Sequence, residues 1–317
     1  NQLDINGKGK ILINDKTDTL SYKIIKGKDQ YTFDTSININ ENSFLIDKLQ
    51  YKKKEGLTSL ITLKGKYRKS NEIKFDLISF KENDNIFLIK KLNLNEKFKI
   101  VDLDFLNFKY TNNNKIENQI NLKKNKKNHN ITGKSFDATH LIDEFVNGED
   151  INEDFSIFEN LNSNINIEIN KVYIDSSTHV DNFSGKLIFI DNKINKLRLD
   201  SAFLNKKKLT LTMNTDGNNH KITTFYSGYP KPLLKRYKFI KGFEDGTLHF
   251  YSDKINGISN SVLLIDNFKV KEVPVLAKLL TLASLQGIAD LLTGEGIRFS
   301  NFEMKFSNKK GLMTIEE

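Results

Sequence analysis

The sequence predicts a mainly β protein, built on a curved and largely antiparallel sheet with a few short helices. Three observations lead to this class. Apolar and polar residues alternate in runs through most of the 317 residues, as they do on strands whose side chains point to two faces in turn. Asn-Asp, Asp-Gly, Gly-Lys and Asn-Lys pairs separate the runs, as turns do. Only three segments have helical periodicity, so we expect helix in less than about a quarter of the chain.

The alternation is clearest in four segments that place an apolar residue at every second position. They are Ile73–Phe75–Leu77, Ile165–Ile167–Ile169, Leu209–Leu211–Met213 and Phe302–Met304–Phe306. Asp216-Gly217 follows the third segment and predicts a hairpin. Two runs change face partway, and one extra residue at Asn170–Lys171 and at Ser300–Asn301 would restore the buried face. The sequence therefore predicts a β-bulge at each of these two places.

Three segments are expected to be helical. Asp137 can cap a helix that reaches Val146, and a second short piece runs from Pro230 to Tyr237. In the third, Val273–Thr293, the apolar arc changes side between the halves. This predicts two short helices joined near Ser284–Gly287 that cover an end or a face of the sheet. A single helix buried all round is the alternative. The apolar residues of this helical cover are Leu276, Leu279, Leu280, Leu285, Ile288 and Leu292.

The composition gives little reason to expect a charged partner. Lys and Arg number 49 against 40 Asp and Glu, which gives a formal charge of +9. Asn, Lys and Ile dominate the chain, and all three have AT-rich codons, so a biased genome explains the lysines. They cluster tightly only at stretches such as Lys123–Lys127 and Lys206–Lys208, which lie between strand-like runs where turns carry solvated charge. No aromatic platform accompanies them, so we expect no nucleic-acid partner.

Several classes of site are excluded or disfavoured by residues that the sequence lacks. The chain has no Cys, which excludes disulfides, thiolate catalysis and Cys-based metal centres. Its first residue is Asn, so we expect a processed or excised segment. No run of about 18 uncharged apolar residues occurs, so no segment is predicted to cross a membrane.

The sequence also lacks the common catalytic signatures. The five histidines never stand at metal-ligand spacing, and no Gly-x-Ser-x-Gly elbow is present. Gly133-Lys134-Ser135 resembles the end of a phosphate-binding loop, but Asn128 stands where that loop needs Gly. We therefore predict a protein that is not an enzyme, with no catalytic, metal-binding or cofactor-binding residues.

The C-terminal part of the chain carries a family resemblance. A strand is followed by Pro-Val-Leu-Ala-Lys-Leu-Leu, then by Ala-Ser-Leu-Gln-Gly, then by Gly-Glu-Gly-Ile-Arg-Phe. These residues lie in Asp266–Val270, Val273–Leu280, Leu282–Leu292 and Gly294–Phe299. They resemble the C-terminal region of AsmA-like proteins of the Gram-negative envelope, the superfamily that includes YhdP and TamB. Lys278 replaces the Arg that is usual there. More loosely, Gly133–Asp137 and Leu233–Leu248 resemble earlier segments of the same proteins.

The resemblance divides the chain and implies a setting for it. Residues 131–317 resemble the AsmA-like C-terminal region, which would stop short of the family's usual end, whereas residues 1–130 show only a compatible strand pattern. The family implies a periplasmic body anchored in the inner membrane by an N-terminal helix outside this segment. It also implies a β-taco-like groove that binds phospholipid and passes it passively between inner and outer membrane.

The residues expected to line that groove are the apolar positions of the alternating runs. They are Ile165, Ile167, Ile169, Leu187, Phe189, Leu209, Leu211, Met213, Phe302, Met304 and Phe306. The same strand faces could instead pack as a dry core. The alternative function is an envelope assembly scaffold that binds protein partners without carrying lipid. A β-helical enzyme acting on polysaccharide would need a regular coil repeat, which the sequence lacks.

Overall fold

The computed structural model describes residues 3–69, 72–146, 153–235, 241–272, 296–309 and 312–316. The chain divides into two compact units. Unit 1 comprises Asn1–Ser176 and Leu187–Ile194, and unit 2 comprises Ser177–Lys186 and Asn195–Glu317. This division lies far from residue 130. The domain prediction concerned the extent of a family resemblance, and it stays a prediction.

Unit 1 is an antiparallel meander that ends in one parallel pair. Its strands are β1 Leu3–Ile13, β2 Lys16–Lys26, β3 Gln30–Ile39, β4 Phe44–Ile46, β5 Tyr51–Lys53, β6 Ser59–Arg68, β7 Ile73–Glu82, β8 Asn85–Leu94, β9 Ile100–Thr111, β10 Glu117–Asn125, β11 Asn128–Asp137 and β12 Ser163–Tyr173. All except β4 and β5 pair with their neighbours in chain order, and only β11 and β12 run parallel.

Strands β4 and β5 form a separate small hairpin inserted between β3 and β6. A 3₁₀ turn, Asp47–Leu49, joins them. Between β11 and β12 lie helix α1, Thr139–Val146, and a 3₁₀ turn, Glu153–Ile157. The chain must cross over here because parallel strands cannot be joined by a tight hairpin.

Unit 2 is a regular antiparallel meander. Its strands are β14 Lys193–Phe203, β15 Lys208–Thr215, β16 Lys221–Ser227, β17 Lys241–Ile255, β18 Ile258–Glu272, β19 Ile297–Lys309 and β20 Leu312–Ile315, with helix α2 at Lys231–Leu234. Each strand pairs with the next along the chain. Strand β13, His179–Ile190, contributes residues to both units, and the first two residues of β14 belong to unit 1.

The predicted fold class is confirmed. The described residues are mainly strands in antiparallel-rich sheet, and their two α-helices have eight and four residues. The hairpin predicted at Asp216-Gly217 joins β15 to β16, and the Asp216 carboxylate accepts hydrogen bonds from two backbone N–H groups of its loop.

The helical predictions have different outcomes. Helix α1 has the predicted cap, because Asp137 Oδ1 accepts the Thr139 N–H at 3.0 Å. Helix α2 occupies the beginning of the second predicted segment and is shorter than expected. The two helices predicted in 273–293, with all six residues of the helical cover, lie outside the described residues. They stay a prediction.

The predicted changes of face occur, but without the simple bulges expected. Ile169 and Val172 are both buried, so β12 does change its buried side between Asn170 and Lys171. Strand β12 nevertheless stays in register with β11 there, and the register shift lies one strand away, between β10 and β11. The pairing of β18 with β19 likewise continues in register past Ser300–Asn301. Strand β18 changes face beside β19, as the φ of 51° at Asn267 indicates, so the two strands stay paired in register.

One predicted alternation is wrong. Ile73, Phe75 and Leu77 were expected on one face of a strand. A register shift occurs where β7 passes Lys64 and Gly65 of β6, so Phe75 pairs with Gly65 and Leu77 with Lys64. Since adjacent residues of β6 point to opposite faces, Leu77 lies on the opposite face from Phe75.

Candidate functional site

Seven aliphatic side chains form a continuous row on one face of the unit 1 sheet. Strand pairing places them side by side, one each on β6 to β12. This aliphatic row consists of Leu63, Ile78, Ile89, Leu106, Leu122, Ile131 and Ile167. All seven are half-buried. Strands lie about 4.8 Å apart, so the row extends about 29 Å across the sheet.

Tight turns set the register that aligns this row. Asn83 and Asp84 form the turn between β7 and β8, and Asn83 has a φ of 49°, which Asn tolerates well. Counting back from this turn pairs Ile78 with Ile89. The turn at 126–127 in the same way pairs Leu122 with Ile131. A one-residue slip would move each aliphatic side chain to the other face.

The opposite face of unit 1 is polar. Lys64 donates to Asp34 at 2.7 Å, and the side-chain amide of Asn107 bonds that of Asn121 on the next strand. Asn166 donates to Asn130 across the parallel pair at 3.0 Å. The apolar face is therefore distinct, because solvent is accommodated on the other side of the same strands.

At one end of the strands the apolar face is covered by the small hairpin. Tyr51 of β5 packs on Phe80, Phe87 and Tyr110, with ring centroids 5.8, 4.9 and 5.9 Å away. These four residues, here called the aromatic cap, are between 2% and 7% exposed. Such ring pairs contribute about 0.5–1.5 kcal/mol each beyond the area they bury. The aromatic cap is therefore a packed core.

Buried polar groups fix the hairpin in place. Lys53 is fully buried, and its Nζ donates to the carbonyl oxygens of Asn40 and Asn42 at 2.9 and 2.7 Å. Asp18 accepts from the Asn42 side chain and from two backbone N–H groups, the closer being that of Asn40 at 2.7 Å. Burial acts to raise the pKa of Asp18, but these hydrogen bonds to the ionised form outweigh it and lower the pKa.

A second polar contact lies inside the aromatic cap. The Tyr51 hydroxyl donates to Glu82 Oε2, and burial followed by this bond raises the pKa of Tyr51. Burial, followed by the charge of Asp137, also raises the pKa of Tyr110. Glu82 Oε1 is buried and has no hydrogen-bond partner among the described residues. Both phenols therefore stay neutral over the physiological range.

Towards the other end of the strands the face remains less buried. Phe33 and Phe75 meet edge to face at 5.7 Å over Gly65. A Cβ on Gly65 would lie 2.2 Å from the Lys74 carbonyl oxygen and 2.9 Å from the Phe33 ring, so only Gly fits between the rings. Beyond them Tyr31 and Tyr67 pair across β3 and β6 with centroids 6.3 Å apart, both half-buried.

Unit 2 has a comparable row, here called the unit 2 row. Pairing from β14 to β19 aligns six half-buried apolar side chains: Leu199, Leu211, Phe225, Phe250, Leu263 and Met304. Next to it Leu209, Leu248 and Ile265 are buried. Leu234 of α2 packs into the cluster formed by Leu248 and Ile265, so a short helix covers this part of the face.

The predicted groove residues fall on these apolar faces with different degrees of burial. Ile167 belongs to the aliphatic row, and Leu211 and Met304 belong to the unit 2 row. The others on faces of known pairing are Ile165 and Ile169 in unit 1, and Leu209, Met213, Phe302 and Phe306 in unit 2. Ile169, Phe189, Leu209 and Met213 are buried, Phe302 is 42% exposed, and the rest, including Leu187, are half-buried.

Sequence reasoning missed most of both rows. It chose no residue of β6 to β11, although six of the seven aliphatic-row members lie there. The signal existed: residues at equal distances from the turns at 83–84 and 126–127 are apolar on both strands. Reading each turn as a register marker would have identified the pairs Ile78 with Ile89 and Leu122 with Ile131.

Titratable groups near the apolar faces make structural contacts. His129 bonds Ser163 Oγ at 2.7 Å, and burial is the main cause that lowers its pKa. His249 is exposed, and its ring contacts that of Tyr226 in a tilted arrangement with centroids 4.9 Å apart. Within the described ranges no group of three or more His, Cys, Asp or Glu is placed to hold a metal ion. What these faces offer chemically is apolar surface.

No helix within the described ranges has both the length and the apolar character that a membrane span requires. Compared with known proteins, the chain matches no protein-family model, no curated protein and no solved structure.

Proposed function

We propose that this chain binds phospholipid through its acyl chains, which lie on the apolar faces of units 1 and 2. The observation that carries the proposal is the aliphatic row, seven Leu and Ile side chains that stay half-buried. Each methylene that leaves water gains about 0.8 kcal/mol, so a lipid chain of ordinary length is held without any specific polar contact.

Half-burial is the part of this observation that favours a ligand. Soluble proteins rarely expose contiguous apolar patches above a few hundred Å², and larger ones mark binding surfaces. At the aromatic cap, by contrast, the small hairpin covers the same face of the sheet with a well-packed core. The aliphatic row keeps accessible surface on every one of seven consecutive strands.

The resemblance to AsmA-like proteins is the basis for the setting that we propose for this activity. It is also the basis for proposing that the chain belongs to that family. On that basis we propose a periplasmic body, anchored in the inner membrane through a segment outside this sequence. There the groove passes phospholipid passively between inner and outer membrane, without catalysis or a cofactor.

A scaffold that binds envelope proteins is the second candidate. Strand β20 favours it, because Leu312, Met313 and Ile315 are 72%, 52% and 65% exposed. Exposed apolar strands bind other proteins by adding strands or by packing. In this case the apolar rows would belong to the packed core and would bind no lipid.

Lipid analysis of the purified chain separates the two candidates. Protein washed free of detergent is extracted and examined by mass spectrometry, and is then mixed with vesicles that contain a fluorescent phospholipid. We expect bound phospholipid and transfer of fluorescence to the protein. A folded chain that neither carries nor takes up lipid would support the scaffold.

A further inference from the structure

The turns at one end of the unit 1 sheet are basic. Since its strands alternate in direction, the turns 27–29, 95–99 and 126–127 lie at the same end as Lys69, which follows β6, and Glu72, which precedes β7. They carry six lysines against three carboxylates. The lysines of this basic rim are Lys28, Lys69, Lys97, Lys99, Lys126 and Lys127. The connections at the opposite end, 14–15, 40–58 with the small hairpin, 83–84 and 112–116, balance five lysines with five carboxylates.

Most of the basic rim is exposed and has no neutralising partner. Lys69 lies 3.9 Å from Asp29. For the other five lysines, no carboxylate within ion-pair distance is found in the part of the chain that the structure describes, and Lys28, Lys97, Lys126 and Lys127 are exposed. Six lysines against three carboxylates leave a net charge of +3 at this end, which creates a positive potential that attracts anions.

The two ends of the apolar face of unit 1 differ in how far they are covered as well as in charge. The aromatic cap and its hairpin cover the end with balanced charge. At the basic end lie the half-buried pair Tyr31 and Tyr67 and the half-buried Ile73 and Leu94. Tyrosine suits a boundary at which one end of the ring is apolar and the other is wet.

The length of an acyl chain is comparable to the distance between the basic rim and the aliphatic row. From Ile89 to the turn that begins at Asn95 there are six residues, or about 20 Å along the strand. A bilayer core of about 30 Å holds two layers of acyl chains, so one chain needs about 15 Å. An acyl chain whose head group lies at the basic rim therefore extends about three quarters of the way to the aliphatic row.

We propose that the basic rim binds the phosphate of an anionic phospholipid whose acyl chains lie on the apolar face of unit 1. This inference rests on the proposed function and adds to it a class of head group and an orientation. Lysine ammonium groups bind phosphate as point charges. The head group lies at the basic rim, and the ends of the acyl chains point towards the aromatic cap.

The test measures lipid uptake by the full chain from vesicles of phosphatidylglycerol and of phosphatidylcholine at low and high salt. The rim variant is Lys97→Glu with Lys127→Glu. The matched control is Lys52→Glu with Lys54→Glu, which changes two exposed lysines at the opposite end, one on β5 and one directly after it. Circular dichroism and melting confirm that all three proteins fold.

We expect the unmodified chain to prefer the anionic lipid, and salt to weaken that preference. Each lysine near an anionic surface contributes about fivefold, so the rim variant should lose most of the preference while the control keeps it. Equal uptake of both lipids, or a rim variant that keeps the preference, would overturn the inference and leave the proposed function standing. Sedimentation of the protein with anionic vesicles without lipid extraction would also overturn it. Uptake of neither lipid would mean that the proposed function itself fails.

Discussion

The aromatic cap and the aliphatic row lie on the same face of the same strands, yet they are built differently. Phe80 and Phe87 of the aromatic cap are nearly inaccessible beneath a hairpin. Ile78 and Ile89, the next pair along β7 and β8, are half-buried. Two residues along a strand thus separate a packed core from an accessible surface. The difference teaches that, within the residues the structure describes, this sheet seals its apolar face at one end and leaves it accessible beyond that end.

Polar contacts follow the same division. Lys53, Asp18 and Asn42 fix the hairpin over the aromatic cap with buried hydrogen bonds. A hairpin held only by apolar packing could leave the face. These bonds resist that motion, because each contributes about 0.5–1.5 kcal/mol net, and more where a charged group takes part. They therefore stabilise the closed position of the hairpin over the aromatic cap.

The largest expected effect is the loss of an aromatic ring from the cap. Replacing Phe87 by Ala removes a buried ring that contacts Tyr51, Phe108 and Tyr110. We expect a loss of about 3–5 kcal/mol in the free energy of unfolding, measured by urea denaturation. A loss below that of Ile89→Ala would contradict the distinction between the two regions.

The next effect concerns Asp18 and depends on pH. In the folded protein its pKa lies below the ordinary value of 3.8. The ionised form therefore stabilises the fold above about pH 3.8, and this contribution is lost as the pH falls through the folded pKa. Asp18→Asn should cost about 1–2 kcal/mol at neutral pH.

Measuring unfolding of both proteins from pH 7 to pH 3 checks this sign. The difference in unfolding free energy between wild type and Asp18→Asn should shrink as the pH falls below 3.8, because Asp18 then becomes protonated in the wild type. Other carboxylates titrate in both proteins and cancel from the difference. A difference that grows on acidification would show that Asp18 is not stabilised as an anion.

The smallest expected effect on stability lies in the aliphatic row. Ile89→Ala removes three carbon groups from a side chain that is half-buried. At about 0.8 kcal/mol for each fully buried group, we expect a cost of about 1 kcal/mol. Urea denaturation beside Phe87→Ala gives the ratio directly. Equal costs would mean that the row is core like the cap.

Much of this fold could be predicted from the sequence, because alternation and turns are local signals. The strand that contains Ile165, Ile167 and Ile169 and the cap of α1 by Asp137 follow from residues a few positions apart. Leu77 was misplaced because its face depends on how β7 pairs with Lys64 and Gly65, which are distant in sequence. The register shift between β10 and β11 is of the same kind.

The candidate site was harder to predict than the fold. An aliphatic row needs seven strands in register, and it becomes visible only when turn positions are used to align strands. The hairpin that covers Phe80 and Phe87 was not predicted, because Phe44–Ile46 and Tyr51–Lys53 are too short to have a clear period. Which apolar residues are sealed and which stay accessible depends on this hairpin.

One matched pair of variants tests the central claim most directly. Leu63 and Leu60 lie three residues apart on β6, Leu63 in the aliphatic row and Leu60, 37% exposed, on the opposite face. Phospholipid uptake is measured for Leu63→Asp and Leu60→Asp, with circular dichroism to confirm folding. The predicted result is loss of uptake in Leu63→Asp and normal uptake in Leu60→Asp. Equal uptake by two folded variants would contradict the claim that the aliphatic row binds lipid.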